Sequence, residues 1–313
     1  MQELFLPLLS IDFPAWLKPE IFPGLPVRWY GLMYIFAFGT AYLMYRIQVK
    51  ERKFPMSEDD LSSLFFWGIL GLLLGARLFS TIIYETSDIY RRQPWLIFWP
   101  FRNGRFTGLQ GMSYHGGAFG GLLSVIIYAK VKKISFREIG DMFAAAIPLG
   151  FTFGRIGNFI NAELYGRVTT VPWGMVFPTG GPSPRHPSQL YEAFFEGIVL
   201  WAIIWFFRNR KPFKGFLVGL YFLGYGVFRF FIEYFREPDA NLGYRFLNLT
   251  TGQILCLIMI MFGVVWLIAA SRMPNRVPIR IYEADSEVKI QSVSPEEQAK
   301  ERNKRRKLRK KLK

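Results

Sequence analysis

The sequence predicts an all-α polytopic membrane protein with about seven transmembrane helices and a small extracytoplasmic head. Three observations predict it. Of 313 residues, 51% are hydrophobic and 18% aromatic, with a mean hydropathy of +0.18, a balance too oily and too Phe-rich for a soluble domain of this length. Seven apolar windows approach the roughly 20 residues that a helix rising about 1.5 Å per residue needs to cross hydrocarbon. Lys and Arg fall in alternate loops, as they do when one side of the membrane retains them.

Along the chain, the apolar stretch from Leu4 to Leu9 is broken by Pro7, followed by Pro14, and lacks a basic leader. Residues 1–26 therefore read as an interfacial segment, with no cleaved signal. The windows are 29–45, 61–84, 112–129, 139–153, 190–207, 216–235 and 254–270, the fourth being short. Trp and Tyr mark many of their ends, where amphipathic rings favour the interface. The loop after the first window holds Arg46, Lys50, Arg52 and Lys53; after the third come Lys130, Lys132, Lys133 and Arg137; after the fifth come Arg208, Arg210, Lys211 and Lys214. With the basic tail, an odd number of spans puts all of these in the cytoplasm and the N-terminus outside. Segments 84–111 and 167–185 would supply the extracytoplasmic head.

Residues 1–272 thus read as one seven-helix transmembrane domain and 273–313 as a basic, disordered cytoplasmic tail, charged, almost free of aromatics and unable to bury a core. The tail ends in Arg302, Lys304, Arg305, Arg306, Lys307, Arg309, Lys310, Lys311 and Lys313, and either adheres to anionic lipid or is a solvated topology signal. The net charge of +16 does not point to nucleic acid, because the basic residues sit in short loops and one tail rather than on an aromatic-studded polar face. The anionic partner it implies is a membrane surface. Cys256, the single cysteine, lies in an apolar run and reads as packing.

Ionisable groups inside spans are expensive, so each marks a protein interior or a wet cavity. The sixth span carries Tyr225, Arg229, Glu233 and Arg236, spaced four, four and three and therefore on one helical face. The third opens with His115 followed by Gly116, Gly117, Gly120 and Gly121, small residues four apart that let another helix approach closely. Between the fourth and fifth runs a Gly-rich polar stretch with Arg155, Asn158, Asn161 and Glu163. Such backbone survives at membrane depth only when buried or lining a cavity, and its Arg and Asn side chains suit a phosphate; a capped helix end with a tight turn is the other reading. The fifth opens with His186, Pro187, Gln189 and Glu192. All these ends face one side under the charge-derived orientation. Arg155, Arg229 and Arg236 against Glu163 and Glu233 give an expected positive excess, suited to a phospholipid phosphate.

The strings HGGAFGG from His115, GRIGNFINAELYGR from Gly154 to Arg167, HPSQLYE from His186 and GYGVFRFFIEYFREPD from Gly224 resemble the bacterial prolipoprotein diacylglyceryl transferases. The resemblance covers the chain from about Trp29 to Ala270 and leaves the tail unexplained. It implies a plasma (inner) membrane enzyme that moves the diacylglyceryl group of phosphatidylglycerol to the thiol of the lipobox Cys in a pre-prolipoprotein signal peptide, releasing glycerol phosphate, with no cofactor or metal. It implies His115, Arg155 and Arg229 as catalytic residues, and Tyr30, Asn158, Glu163, Gly166, Tyr225, Glu233 and Arg236 around the substrate. His115 would be the base for the thiol, unless arginines lower the thiol pKa instead. Arg155 and Arg229 would stabilise the leaving phosphate, and Glu233 would hold Arg229 and Arg236. Asp141 reads as structural, His186 likewise, and Arg77 as either structural or functional. A lipid carrier, which needs polar groups at both faces, fits the one-sided cluster less well. A transferase with a sugar or amino-acid acceptor, which wants a metal cluster or a carboxylate base pair, finds no such grouping in the sequence.

Overall fold

A computed structural model of the chain describes residues 10–22, 27–85, 88–102, 104–106, 111–237 and 249–274; the basic tail, most of the first 26 residues and part of segment 84–111 lie outside the described residues. In chain order the elements are strand β1 (Ile11–Asp12), helices α1 (Trp29–Glu51) and α2 (Glu58–Phe79), a π-helical turn (Ser80–Tyr84), α3 (Ile89–Arg92), a 3₁₀ turn (Pro94–Ile97), the hairpin β2 (Phe101–Arg102) and β3 (Arg105–Phe106), and α4 (Tyr114–Val131). Then follow α5 (Phe136–Ala144), α6 (Ile147–Ile160), β4 (Met175–Val176), α7 (Ser188–Glu192), a π-helical segment (Ala193–Val199), α8 (Leu200–Phe207), α9 (Phe216–Ile232) and α10 (Thr251–Arg272). All seven apolar windows fall on helices. Three helical runs, Glu58–Tyr84, Ser188–Phe207 and Thr251–Arg272, are long and apolar enough to cross a membrane, and a fourth joins them if α5 and α6, bent by 45°, make one span.

The fourth window departs from expectation. It is broken at Ala145 and Ala146, both fully buried, with Pro148 in the first turn of α6, where its missing N–H costs nothing. Helix α6 then continues to Ile160, seven residues beyond the expected end at Phe153. Arg155 and Asn158 are therefore helical residues on one face, and the tight turn follows them.

The described chain forms two compact units. The first takes the chain up to Phe54 with Arg137–Pro274. At one end of its bundle the basic residues of the loops are tied down: Arg208 to Glu51 at 3.1 Å, Lys211 to Asp141 at 2.8 Å and Lys214 to Glu138 at 3.0 Å. Asp141 is structural, as expected. Its fully buried carboxylate accepts the backbone N–H groups of Gly215 and Leu217 at 2.9 Å and Val218 at 3.2 Å, satisfying the orphan donors that open α9. Helix α10 starts on a capping box between Thr250 and Gln253, and its Leu255, Ile258, Met261 and Val265 are half exposed, the pattern of a helix solvated by lipid. Above the bundle, β1 pairs in parallel with β4, and Phe13, Phe159, Tyr165 and Phe177 close a small aromatic core.

The second unit takes Pro55–Phe136. Ser57 caps α2 and three acidic residues fill its first turn, which the helix dipole favours. Helices α2 and α4 meet through Gly71, Gly75, Gly116 and Gly120, confirming the close approach read from the glycine spacing: a Cβ on Gly120 would fall 2.9 Å from the Gly75 Cα and strike the Gly71 carbonyl. Gly120→Leu should therefore push these helices apart and cost about 1–3 kcal/mol by overpacking, read as a lower thermal midpoint in detergent. Arg77 is structural here, donating to the Gly111 carbonyl at 3.1 Å and the Leu96 carbonyl and Tyr90 hydroxyl at 3.3 Å, with the Ile97 carbonyl on its Nε.

Candidate active site

The site in the first unit is assembled by α6, the turn after it, α7 with its π-helical continuation, and α9. On α6, the Arg155 Nη1 donates to the Asn158 Oδ1 at 3.3 Å, and the Asn158 amide donates to Glu163 at 2.8 Å. Glu163 comes back onto the helix because the chain reverses through Ala162 and Leu164, whose φ angles are +51° and +56°, a left-handed conformation that L residues adopt only when the surroundings hold them there. Those surroundings are α7: Gln189 donates to the Glu163 carbonyl at 2.6 Å and Ser188 to the Leu164 carbonyl at 3.2 Å. The Tyr30 ring of α1 lies against Gly157, where a Cβ would meet it at 3.0 Å, and its hydroxyl contacts that of Tyr34 at 3.2 Å.

Glu192 is the hub. It ends α7, is fully buried, and binds Arg155 Nε at 2.8 Å, Arg229 Nη1 at 2.9 Å and Arg236 Nη1 at 3.8 Å. Glu196, four residues on and 1% exposed, approaches Arg229 at 3.7 Å. Glu233 pairs with Arg229 at 3.1 Å and accepts the Thr250 hydroxyl at 3.1 Å. Glu192 and Glu196 sit where the helix widens into its π-helical segment, a local rearrangement that often marks functional sites. The face read from the spacing of Tyr225, Arg229, Glu233 and Arg236 is the one turned into this cluster.

Two expectations change. The cluster has no positive excess: among the described residues, Arg155, Arg229 and Arg236 meet Glu192, Glu196 and Glu233 in direct ion pairs, with Glu163 one link further. Glu233 holds Arg229 but not both arginines, since Arg236 pairs with Glu192. Gly166, which the resemblance places around the substrate, packs through its backbone. It donates to the His186 carbonyl at 2.8 Å and bridges to Arg236, so tightly that a Cβ would strike the Phe235 carbonyl. His186 is structural, as read. It packs edge-on against Phe235, contacts the Tyr191 hydroxyl at 3.2 Å, and is held below its ordinary pKa by desolvation.

His115 belongs to the second unit. It is the second residue of α4, exposed, and its Nδ1 lies 3.2 Å from the Tyr84 hydroxyl. Sequence reasoning missed Glu196 and left Glu192 without a role. The signal was there: two carboxylates four apart inside an apolar run obey the same rule that singled out Arg229 and Glu233.

Chemically the cluster holds donors that can take an oxyanion. Each guanidinium carries five N–H donors; Arg155 donates one to Asn158 and pairs with Glu192 through Nε as an ion pair, leaving donors for a further oxygen. Its carboxylates fix the forks before a ligand arrives. Residues 19–269 match the family model described as prolipoprotein diacylglyceryl transferase. The chain is 51% identical to the phosphatidylglycerol–prolipoprotein diacylglyceryl transferase of Treponema denticola, over 81% of this chain and 92% of that one. It is 47% identical to the Treponema pallidum enzyme of the same name, over 87% and 99%, and 46% identical to the Chlorobaculum tepidum one, over 81% and 92%. A match over a range that spans nearly all of the helical body and the positions of the arginine–carboxylate cluster means that the chain belongs to the prolipoprotein diacylglyceryl transferase family.

Proposed function

We propose that this protein transfers the diacylglyceryl group of phosphatidylglycerol to a prolipoprotein, the first step of lipoprotein maturation, and that the acceptor is the thiol of the lipobox Cys. The observation that carries the reading is the joining of Arg155 and Arg229 through one buried carboxylate, in a chain of this family. A thiol sulfur attacks the glyceryl carbon that bears the phosphoester oxygen; the C–S bond forms, the C–O bond breaks, and its electron pair goes to the phosphate oxygen. Arg155 and Arg229 meet that growing charge, so they stabilise the transition state more than the ground state. The thiol proton leaves to a base or ends on the released glycerol phosphate.

His115 is the proposed base on the family resemblance, with an arginine-lowered thiol pKa as the other route. His115→Ala should lower turnover by about 10²-fold if the imidazole takes the proton, measured as peptide lipidation against pH; unchanged turnover assigns thiol activation to the arginines. Tyr30, Asn158, Glu163 and Tyr225 shape the headgroup pocket. The proposed setting is the plasma (inner) membrane, crossed seven times, with the Arg229 end of α9 and the N-terminus extracytoplasmic and the basic loops and tail cytoplasmic. Purified protein incubated with phosphatidylglycerol and a lipobox peptide should add a diacylglyceryl mass to the peptide Cys and release glycerol phosphate. A peptide that keeps its mass, or a Cys-to-Ser peptide that gains it, refutes the reading.

A further inference from the structure

The cluster has no positive excess before any lipid arrives. Arg155, Arg229 and Arg236 offset Glu192, Glu196 and Glu233, and Glu163 adds a further negative charge held by the Asn158 and Asn161 amides. A phosphodiester headgroup brings one more negative charge into a setting where four of the participating side chains, Glu192, Glu196, Glu233 and Asn158, are buried. Buried charge without a counter-charge is strongly disfavoured, and the usual response is that a group changes its protonation.

The carboxylates are not equally held. Glu192 has guanidinium nitrogens at 2.8 and 2.9 Å, Glu233 has one at 3.1 Å together with the Thr250 hydroxyl, and Glu163 accepts an amide at 2.8 Å. Among the described residues, Glu196 has a single guanidinium contact, at 3.7 Å, to an Nη1 that Glu192 already occupies. The groups facing it are Arg229 and Tyr225 from α9, Arg155 from α6, Glu192 from its own helix, and the Cys256 thiol from α10. A phenol such as that of Tyr225 donates to a carboxylate or accepts from a carboxylic acid, so that neighbour suits both forms of Glu196.

We propose that Glu196 takes up one proton when an anionic phospholipid headgroup docks on Arg155 and Arg229, which makes Glu196 a positioning residue and substrate binding proton-linked. The proposal rests on the functional reading above and deepens it. The proton enters from solvent as the phosphodiester enters, keeping the cluster's charge unchanged. It returns to solvent when the glycerol phosphate leaves the site and the added negative charge is gone.

The test measures binding of phosphatidylglycerol to the full chain in nanodiscs of zwitterionic lipid, between about pH 5 and about pH 9, a range that brackets carboxyl groups raised by burial. Coupling of one proton weakens wild-type affinity by about tenfold per pH unit on the alkaline limb. Glu196→Gln should bind tightly with no such limb, and Glu196→Asp should restore it. Proton uptake in weakly buffered solution should accompany phosphatidylglycerol and not phosphatidylcholine, whose headgroup carries no net charge. Flat wild-type affinity, an unchanged limb in Glu196→Gln, or binding without proton uptake would each overturn the proposal. Should Glu196→Gln not fold, the wild-type uptake decides alone. Absence of phosphatidylglycerol binding at every pH instead strikes the functional reading beneath it.

Discussion

Arg229→Ala should abolish diacylglyceryl transfer to a lipobox peptide while leaving the protein inserted in the membrane. Arg229 lies 2.9 Å from Glu192, 3.1 Å from Glu233 and 3.7 Å from Glu196, and its removal leaves those three carboxylates facing two arginines. Two effects add. The transition state loses a preorganised donor for the leaving phosphate, a loss of about 10²–10³ in turnover for one oxyanion contact. The unbalanced carboxylates then repel the headgroup itself, raising the lipid concentration needed. Arg229→Lys should recover little, because a point ammonium on a flexible stem cannot span two helices as a planar fork does. Mass spectrometry of the peptide reads the result; full activity of Arg229→Ala would remove this residue from the mechanism.

The second large effect belongs to a residue whose importance only the fold reveals. Glu192→Ala should cost about 3–5 kcal/mol of stability, the range for breaking a buried ion pair by removing one partner, because Arg155, Arg229 and Arg236 converge on this carboxylate. It should also lower turnover, since both proposed phosphate-binding arginines lose the group that aims them. Glu163→Gln makes the contrast: Glu163 accepts two amides rather than guanidinium groups, so its loss should reduce activity with a smaller fall in the thermal midpoint. Equal midpoints for Glu192→Ala and wild type would show that the arginines are oriented by something else.

The structure also redistributes roles among residues that looked alike in the sequence. Arg77 and Asp141 are both charged residues near spans, yet Arg77 spends its guanidinium on carbonyl groups of the segment after α2, and Asp141 spends its carboxylate on the N–H groups that begin α9. Both satisfy backbone polar groups that hydrocarbon would leave unpaired. Glu192 and Glu196 instead face arginine side chains as ion pairs, and that difference separates scaffold from proposed site.

The sequence by itself determined the helical membrane class, the positions of all seven apolar windows on helices, the glycine contact between α2 and α4, the polar face of α9 and the family. These follow from local rules: apolar length, the 3.6-residue period and small-residue spacing are properties of neighbours along the chain. Only the tertiary structure decided the break between α5 and α6, the extension of α6 that makes Arg155 helical, and the charge balance of the cluster. Ion pairing is decided by distance in space. Glu192 lies 37 positions from Arg155 and 37 from Arg229 in the chain, so no periodicity could place one carboxylate between both arginines, and the sign of the site's net charge turned on that placement.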